Sequence, residues 1–172
     1  AQALLVSPST GVASSDYRKG IWFAADTNAG APGLTLPVLA DTTEWTYQAW
    51  IVSDSNPAYI YNIGRFDRPN AQDNNQQCQQ NPPQMIWLLP GHDWLLPNCP
   101  GGSLPDISDL TSGYTIFITL EPRYEQGTEL FAPFYIKLFT SPVSSGSFGT
   151  IFSLQNVSSS NLPSGELRLK AN

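Results

Sequence analysis

Short segments in which apolar and polar residues alternate with a period of two recur along this chain, and they constrain its fold more than any other feature. They are rich in aromatic and β-branched residues, as strands with one face toward a core usually are. The longer segments are residues 45–52, 114–120, 134–139 and 166–170. The shorter ones are residues 3–7, 20–24, 58–63 and 150–154. The pattern therefore predicts about eight strands.

Turn-forming residues separate these segments and leave little room for helices. The chain has 15 Pro and 13 Gly, and groups such as Ser55-Asn56-Pro57 and Pro163-Ser164-Gly165 stand between the predicted strands. Proline breaks a helix interior because it lacks the amide proton and clashes with the preceding turn. We therefore predict an all-β fold, an antiparallel β-sandwich in which residues 1–172 form a single domain. Residues 1–12 would form an N-terminal strand or arm.

Residues 65–113 interrupt the succession of predicted strands and turns, because they contain almost no alternation of apolar and polar residues. Asn and Gln dominate the part between residues 70 and 84. A loop this long inside a compact domain is usually either functional or tied down. Cys78 and Cys99 are predicted to form one disulfide that closes this long loop excursion. The alternative is two unrelated free thiols.

A short repeat lies inside the same loop. The tetrapeptide that begins at Trp87 recurs at Trp94 with the same residues, Trp-Leu-Leu-Pro. The spacing is too short for a structural repeat array. In one interpretation the two tryptophans anchor the loop to the sandwich. In the other they form an exposed apolar tip that contacts a partner, because large exposed apolar patches mark interaction sites.

The chain carries little charge, with 13% charged residues and a net charge of -6. Nothing in it could neutralise a run of phosphates, so no nucleic-acid partner is expected. No apolar run approaches the roughly 18 residues that a membrane span needs. The start, Ala1-Gln2-Ala3, resembles a mature end left by signal-peptide cleavage. We therefore predict a secreted, extracellular protein whose signal peptide has been removed.

Residues that usually carry catalysis are scarce in this sequence. His92 is its one histidine, and an acidic neighbour directly adjacent in sequence rarely makes the orienting hydrogen bond of a catalytic triad. The low charge predicts no cluster of titratable groups, and the His and Cys spacing is unlike a zinc site. We therefore predict no enzyme, no catalytic residue, no cofactor and no metal. Asn156-Val157-Ser158 is a weak signal for N-glycosylation of Asn156.

Aromatic side chains suggest a second kind of site. Sugar-binding modules present platforms of Trp and Tyr, and this chain has 5 Trp and 7 Tyr. Most of them are expected in the core, and the aromatic core residues are expected to include Trp22, Trp45, Trp50 and Phe66. Trp45, Tyr47 and Trp50 do not all share one face of their strand, so at least one of them could be exposed.

The order of several motifs resembles a known family. The motifs are Gly20-Ile21-Trp22-Phe23, Leu34-Thr35-Leu36-Pro37, Trp45-x-Tyr47-x-x-Trp50-Ile51-Val52, Gly64-Arg65-Phe66, Pro90-Gly91-His92-Asp93-Trp94-Leu95, Asp109-Leu110-Thr111, Ile116-Phe117-Ile118-Thr119-Leu120-Glu121-Pro122, Phe134-Tyr135-Ile136-Lys137-Leu138 and Leu162-Pro163-Ser164-Gly165. In this order they resemble the extracytoplasmic C-terminal domain of anti-sigma-K-type factors and its free-standing secreted bacterial relatives. The resemblance covers roughly residues 20–170. It implies a secreted, non-enzymatic, all-β domain.

We expect this domain to be a self-associating structural subunit of an extracellular filament or surface assembly. Ala3, Leu4, Leu5 and Val6 form an apolar strand that could complete the sheet of a neighbouring copy, as in donor-strand complementation. The same strand could instead pair within its own chain as an edge strand. The alternative function is an extracellular binding module for a carbohydrate or a surface protein partner.

Overall fold

Strands form where the sequence alternates, as seen in a computed structural model of the chain. The structure describes residues 1–5, 20–27, 30–40, 43–74, 88–92, 107, 109–111, 113–125, 132–143, 149–162 and 164–165. Its elements are β1 (Gln2–Leu4), β2 (Ile21–Trp22), β3 (Trp45–Ser53), β4 (Ile60–Phe66), β5 (Gly91–His92), β6 (Tyr114–Pro122), β7 (Lys137–Pro142), β8 (Ile151–Ser153), β9 (Gln155–Asn156) and the one-turn helix α1 (Ser158–Asn161).

These strands form two antiparallel sheets, which confirms the predicted all-β fold. One sheet has the order β5-β2-β1-β8 and the other the order β4-β3-β6-β7-β9. The long strands β3 and β6 pair throughout, from Trp45 opposite Pro122 to Ser53 opposite Tyr114. The predicted disulfide between Cys78 and Cys99 lies outside the described residues.

Both sheets contribute side chains to one apolar core. From β1, β2 and the residues next to them come Ala3, Leu5, Ile21 and Phe23. From the five-stranded sheet come Tyr47, Ala49, Ile51, Tyr61, Ile63, Phe66, Ile116, Ile118, Leu138 and Phe139. Burial of one large aliphatic or aromatic side chain contributes about 1.5–3 kcal/mol. The two sheets are therefore held together by apolar packing between their inner faces.

Strand β3 is buried on both of its faces, which corrects one expectation from the sequence. Tyr47 and Trp50 are buried and Trp45 is half-buried, so none of the three is exposed. Trp50 faces away from the shared core, and its indole Nε1 donates to Thr119 Oγ1 at 2.9 Å. The indole N–H of Trp50 is thus hydrogen-bonded within the protein. A sugar-binding platform would instead need the ring to be exposed.

Two elements differ from the predicted boundaries for identifiable reasons. Strand β7 begins at Lys137, three residues later than predicted, because the Phe134 amide donates to Glu121 Oε1 at 2.9 Å. Strand β5 lies inside the predicted loop and is too short to show a period. Gly91 has φ of +149°, and a Cβ there would lie 2.5 Å from the Ile21 carbonyl oxygen. Only glycine therefore allows β5 to approach β2 so closely.

Candidate interaction site at strand β1

Strand β1 lies between β2 and β8, so it is an interior strand of its sheet. Leu4 is opposite Trp22 on one side. On the other side Gln2, Ala3 and Leu4 are opposite Ser153, Phe152 and Ile151. We call the space between β2 and β8 the β1 slot. The predicted strand thus pairs within this chain, but in the middle of the sheet and not at its edge.

Both faces of β1 are buried. Ala3 and the adjoining Leu5 belong to the core shared by the two sheets. Leu4 points the other way and is also buried, as is its register partner Trp22. An apolar strand of this kind is stable only when flanked on both sides, because its exposed edges and side chains would otherwise meet water.

Backbone hydrogen bonds fix both ends of β1 in the slot. The Leu154 amide donates to the Ala1 carbonyl at 2.8 Å, and the Gly149 amide donates to the Leu5 carbonyl at 3.1 Å. The Gln2 amide donates to the Gly33 carbonyl at 2.8 Å. A Cβ on Gly33 would lie 2.3 Å from the Gln2 carbonyl oxygen, so this approach requires glycine. Backbone hydrogen bonds therefore fix the register of the strand, and the buried side chains Ala3, Leu4 and Leu5 stabilise it there.

The structure describes only some of the residues that the sequence singles out. Ala3, Leu4 and Leu5 lie in or beside β1. Val6, Trp87, Trp94, Cys78 and Cys99 lie outside the described residues, and His92 contributes its backbone to β5. Asn156 is exposed in β9, where its Oδ1 accepts hydrogen bonds from the Ser158 amide and hydroxyl. Its glycosylation stays a prediction.

A buried cluster of polar and charged side chains covers the outer face of the five-stranded sheet, contrary to the prediction of no titratable cluster. Its centre is Glu121, which is fully buried. The Oε1 atom of Glu121 accepts hydrogen bonds from Trp50 Nε1, from Thr119 Oγ1 and from the Phe134 amide. The carboxylate therefore holds the segment before β7 against β3 and β6.

Arg65 connects this cluster to β4. Its Nε donates to Gln48 Oε1 at 2.6 Å, and its Nη2 donates to Glu125 Oε2 at 2.5 Å. Its Nη1 donates to the Arg123 carbonyl at 3.2 Å. The Glu125 side chain is only 3% exposed, so this ion pair is shielded from water. The guanidinium thus joins β3, β4 and the turn after β6.

Glu125 holds its proton more tightly than an ordinary glutamate. Burial raises its pKa from 4.5 to about 7, and the nearby Glu121 adds to this while Arg65 opposes it. Glu121 Oε2 is buried and accepts no hydrogen bond from any described donor. Two carboxyl groups can share a hydrogen bond only when one of them is protonated. After burial, the neighbouring Glu121 is therefore the second cause of the raised Glu125 pKa.

The raised pKa of Glu125 predicts that the chain loses stability as pH rises from about 4.5 to about 7. In this window the folded chain binds more protons than the unfolded chain, so the free energy of unfolding falls with pH. The fall is at most about 3 kcal/mol, at about 1.36 kcal/mol per pH unit. Urea unfolding at pH 5, 6 and 7.5 measures it. Glu125→Gln, which keeps a donor and an acceptor, should flatten the profile, and an unchanged profile in that variant would refute the assignment.

No family model matches this chain, and no curated protein or solved structure is significantly similar to it. The resemblance to the extracytoplasmic domain of anti-sigma-K-type factors therefore stays a prediction. Within the described ranges no helix has the length and apolar character to cross a bilayer. The same residues contain no group of three or more His, Cys, Asp or Glu side chains placed to hold a metal ion.

Proposed function

We propose that this chain is a secreted, non-catalytic β-sandwich that self-associates into an extracellular filament or surface assembly by exchanging strand β1 between copies. The observation that carries this proposal is the position of β1. It is three residues long, it lies between β2 and β8, and Ala3, Leu4 and Leu5 are buried there. A short apolar strand that fills a slot in its own chain can fill the same slot in a neighbour.

The exchange costs little because it replaces each contact by an identical one. The register of β1 with β2 and β8 would be the same whether the strand comes from the same chain or from another copy. Such exchange of an identical element is a low-cost route to oligomers. Residues 6–19 connect β1 to the rest of the domain and include Ser, Pro, Thr and Gly. That number of residues can span about 45 Å, against a radius of gyration of roughly 15 Å for such a domain.

Exchange of this kind can propagate. A chain that gives its β1 to a neighbour leaves its own slot open for the β1 of a third copy. This head-to-tail contact continues into a filament unless the rotation between copies closes a ring. The low content of charged residues favours such packing, because few ions must be desolvated at the interface.

The buried charged cluster fits a structural role better than catalysis. The three donors to Glu121 and the three acceptors of Arg65 join strands β3, β4 and β6 with the segments that follow β6. The Glu125 side chain is almost fully enclosed, so it is not presented to a substrate. A catalytic carboxyl pair requires room for the reacting bond between the two groups.

A disulfide across β1 and β8 should prevent assembly. Gln2 and Ser153 are directly opposite in register, and residues so placed lie within the usual range for a disulfide. We expect the oxidised Gln2→Cys/Ser153→Cys variant to stay monomeric by light scattering and to form no filaments in electron micrographs. The same variant with reductant should assemble like the unmodified chain in reductant. A closed, oxidised variant that forms the same polymer would contradict strand exchange.

Two exposed tyrosines favour the second candidate function, a binding module for carbohydrate. Tyr124 and Tyr135, at the two ends of the connection between β6 and β7, are 72% and 64% exposed. The Tyr135 ring also lies 4.2 Å from the Phe134 ring, measured between centroids. Exposed aromatic rings can stack on sugars. Binding on a glycan array that disappears with Tyr135→Ala would support this candidate, and a monomeric native chain would favour it over self-assembly.

A further inference from the structure

An apolar cavity opens between the inner face of the five-stranded sheet and two covering segments. Its floor includes Leu120, Leu138 and Phe139 from β6 and β7. Leu36 and Leu39 cover one side and Leu162, after α1, covers the other. The cavity has a volume of about 320 Å³. This lies within the range of roughly 300–1,000 Å³ that is usual for small-molecule sites.

The lining determines which chemistry the cavity can accept. None of the described residues that line it carries a charge. Its polar groups are largely occupied by one another. The Tyr47 hydroxyl donates to the Pro37 carbonyl at 3.1 Å, and Asn156 Oδ1 accepts from Ser158. An ionised ligand would lose its hydration here without gaining a partner of opposite charge.

The size of the cavity limits the ligand further. A cavity of about 150 Å³ lined by aliphatic and aromatic side chains takes up benzene. This cavity has about twice that volume, so it accommodates two fused rings or an aliphatic chain of comparable bulk. Its opening is also apolar, because Leu162, one of the lining residues, is 45% exposed.

We infer that this cavity is a binding site for one small, uncharged, predominantly apolar molecule, such as a fatty alcohol or a bicyclic aromatic. The site is independent of β1 exchange, because β1 contributes none of the residues that line it. The lining offers no partner of opposite charge, so a molecule with the same chain and an ionised head group should bind more weakly.

The test is a titration of the full chain with 1-naphthylamine, a neutral bicyclic probe whose fluorescence shifts to shorter wavelength in apolar surroundings, followed by displacement with 1-decanol. We expect saturation at one probe per chain. Decyltrimethylammonium should displace it at least about tenfold less effectively, because the cationic head cannot be desolvated. Absent or unsaturable binding, or equal displacement by both compounds, would overturn the inference.

Matched variants locate the probe. Leu36→Trp fills the cavity from its covering segment and should weaken binding at least about tenfold, because added volume competes directly with the ligand. Val38→Trp places the same side chain two residues away at an exposed position and should leave affinity within about twofold. Leu162→Trp at the rim is a second filling variant, should Leu36→Trp fail to fold by circular dichroism. If folded filling variants bind like the unmodified chain, the probe lies elsewhere and the site is refuted.

Discussion

Deleting residues 1–10 should strongly destabilise the isolated chain, and a synthetic peptide of residues 1–10 should restore its stability. Deletion removes the buried side chains Ala3, Leu4 and Leu5 and separates β2 from β8. Loss of a single buried leucine costs about 2–5 kcal/mol, and domains of this size have about 5–15 kcal/mol in total. We therefore expect a loss of at least about 5 kcal/mol. Thermal unfolding followed by tryptophan fluorescence measures both the loss and the recovery.

The peptide experiment has a matched control. A peptide of the same length with Leu5→Asp places a charge in the shared core and should give no recovery. Recovery by the unmodified peptide alone would establish that the β1 slot accepts a strand from another molecule. A truncated chain that is as stable as the full chain, or that responds equally to both peptides, would show that the slot does not bind its strand as we describe.

Replacing Arg65 with methionine should destabilise the chain by about 3–5 kcal/mol well above pH 7, where Glu125 is ionised. Arg65 is the cation that faces Glu125 in a nearly enclosed position, and its removal leaves that carboxyl group without a compensating charge. Removing one partner of a buried ion pair usually costs this much, whereas replacing both partners costs far less. The double variant Arg65→Met/Glu125→Gln should therefore recover at least half of the loss, as measured by urea unfolding.

Arg123 provides the control for this prediction. It pairs with Asp67, and both side chains are about one-third exposed. Arg123→Met should therefore cost about 1 kcal/mol or less from the ion pair. If both arginine variants lose the same stability, or if the double variant is no more stable than Arg65→Met, the Arg65 pair is not the buried anchor that we assign.

The strands with the longest alternating segments were predictable from the sequence. Strands β3 and β6 occupy Trp45–Ser53 and Tyr114–Pro122, within two residues of the predicted ends. In β3 the core residues Ala49 and Ile51, and in β6 the core residues Ile116 and Ile118, follow the period of two that separates the inner face from the outer face. Strands β5 and β9 have two residues each, which is too short for any period to appear.

The candidate site was only partly predictable. The apolar run after Gln2 indicates a strand, but its position between β2 and β8 depends on pairing with residues about 150 positions away in sequence. The charged cluster was missed for a similar reason, because Arg65 and Glu125 are 60 positions apart. One local feature of the sequence did indicate a polar cluster. Thr119 and Glu121 are polar residues at alternate positions of a strand whose other face is apolar. The low overall content of charged residues gave no indication that Arg65, Glu121 and Glu125 lie close together in the fold.

Strand exchange between copies is tested most directly by mixing two variants that each carry one added cysteine. A Gln2→Cys chain and a Ser153→Cys chain are mixed, unfolded and refolded together, allowed to assemble and then oxidised. We expect a cross-linked dimer in the mixture, absent from either variant alone, in which mass spectrometry finds a disulfide between residue 2 of one copy and residue 153 of the other. Assembled material without this link, or a native chain that stays monomeric at every concentration, would contradict it.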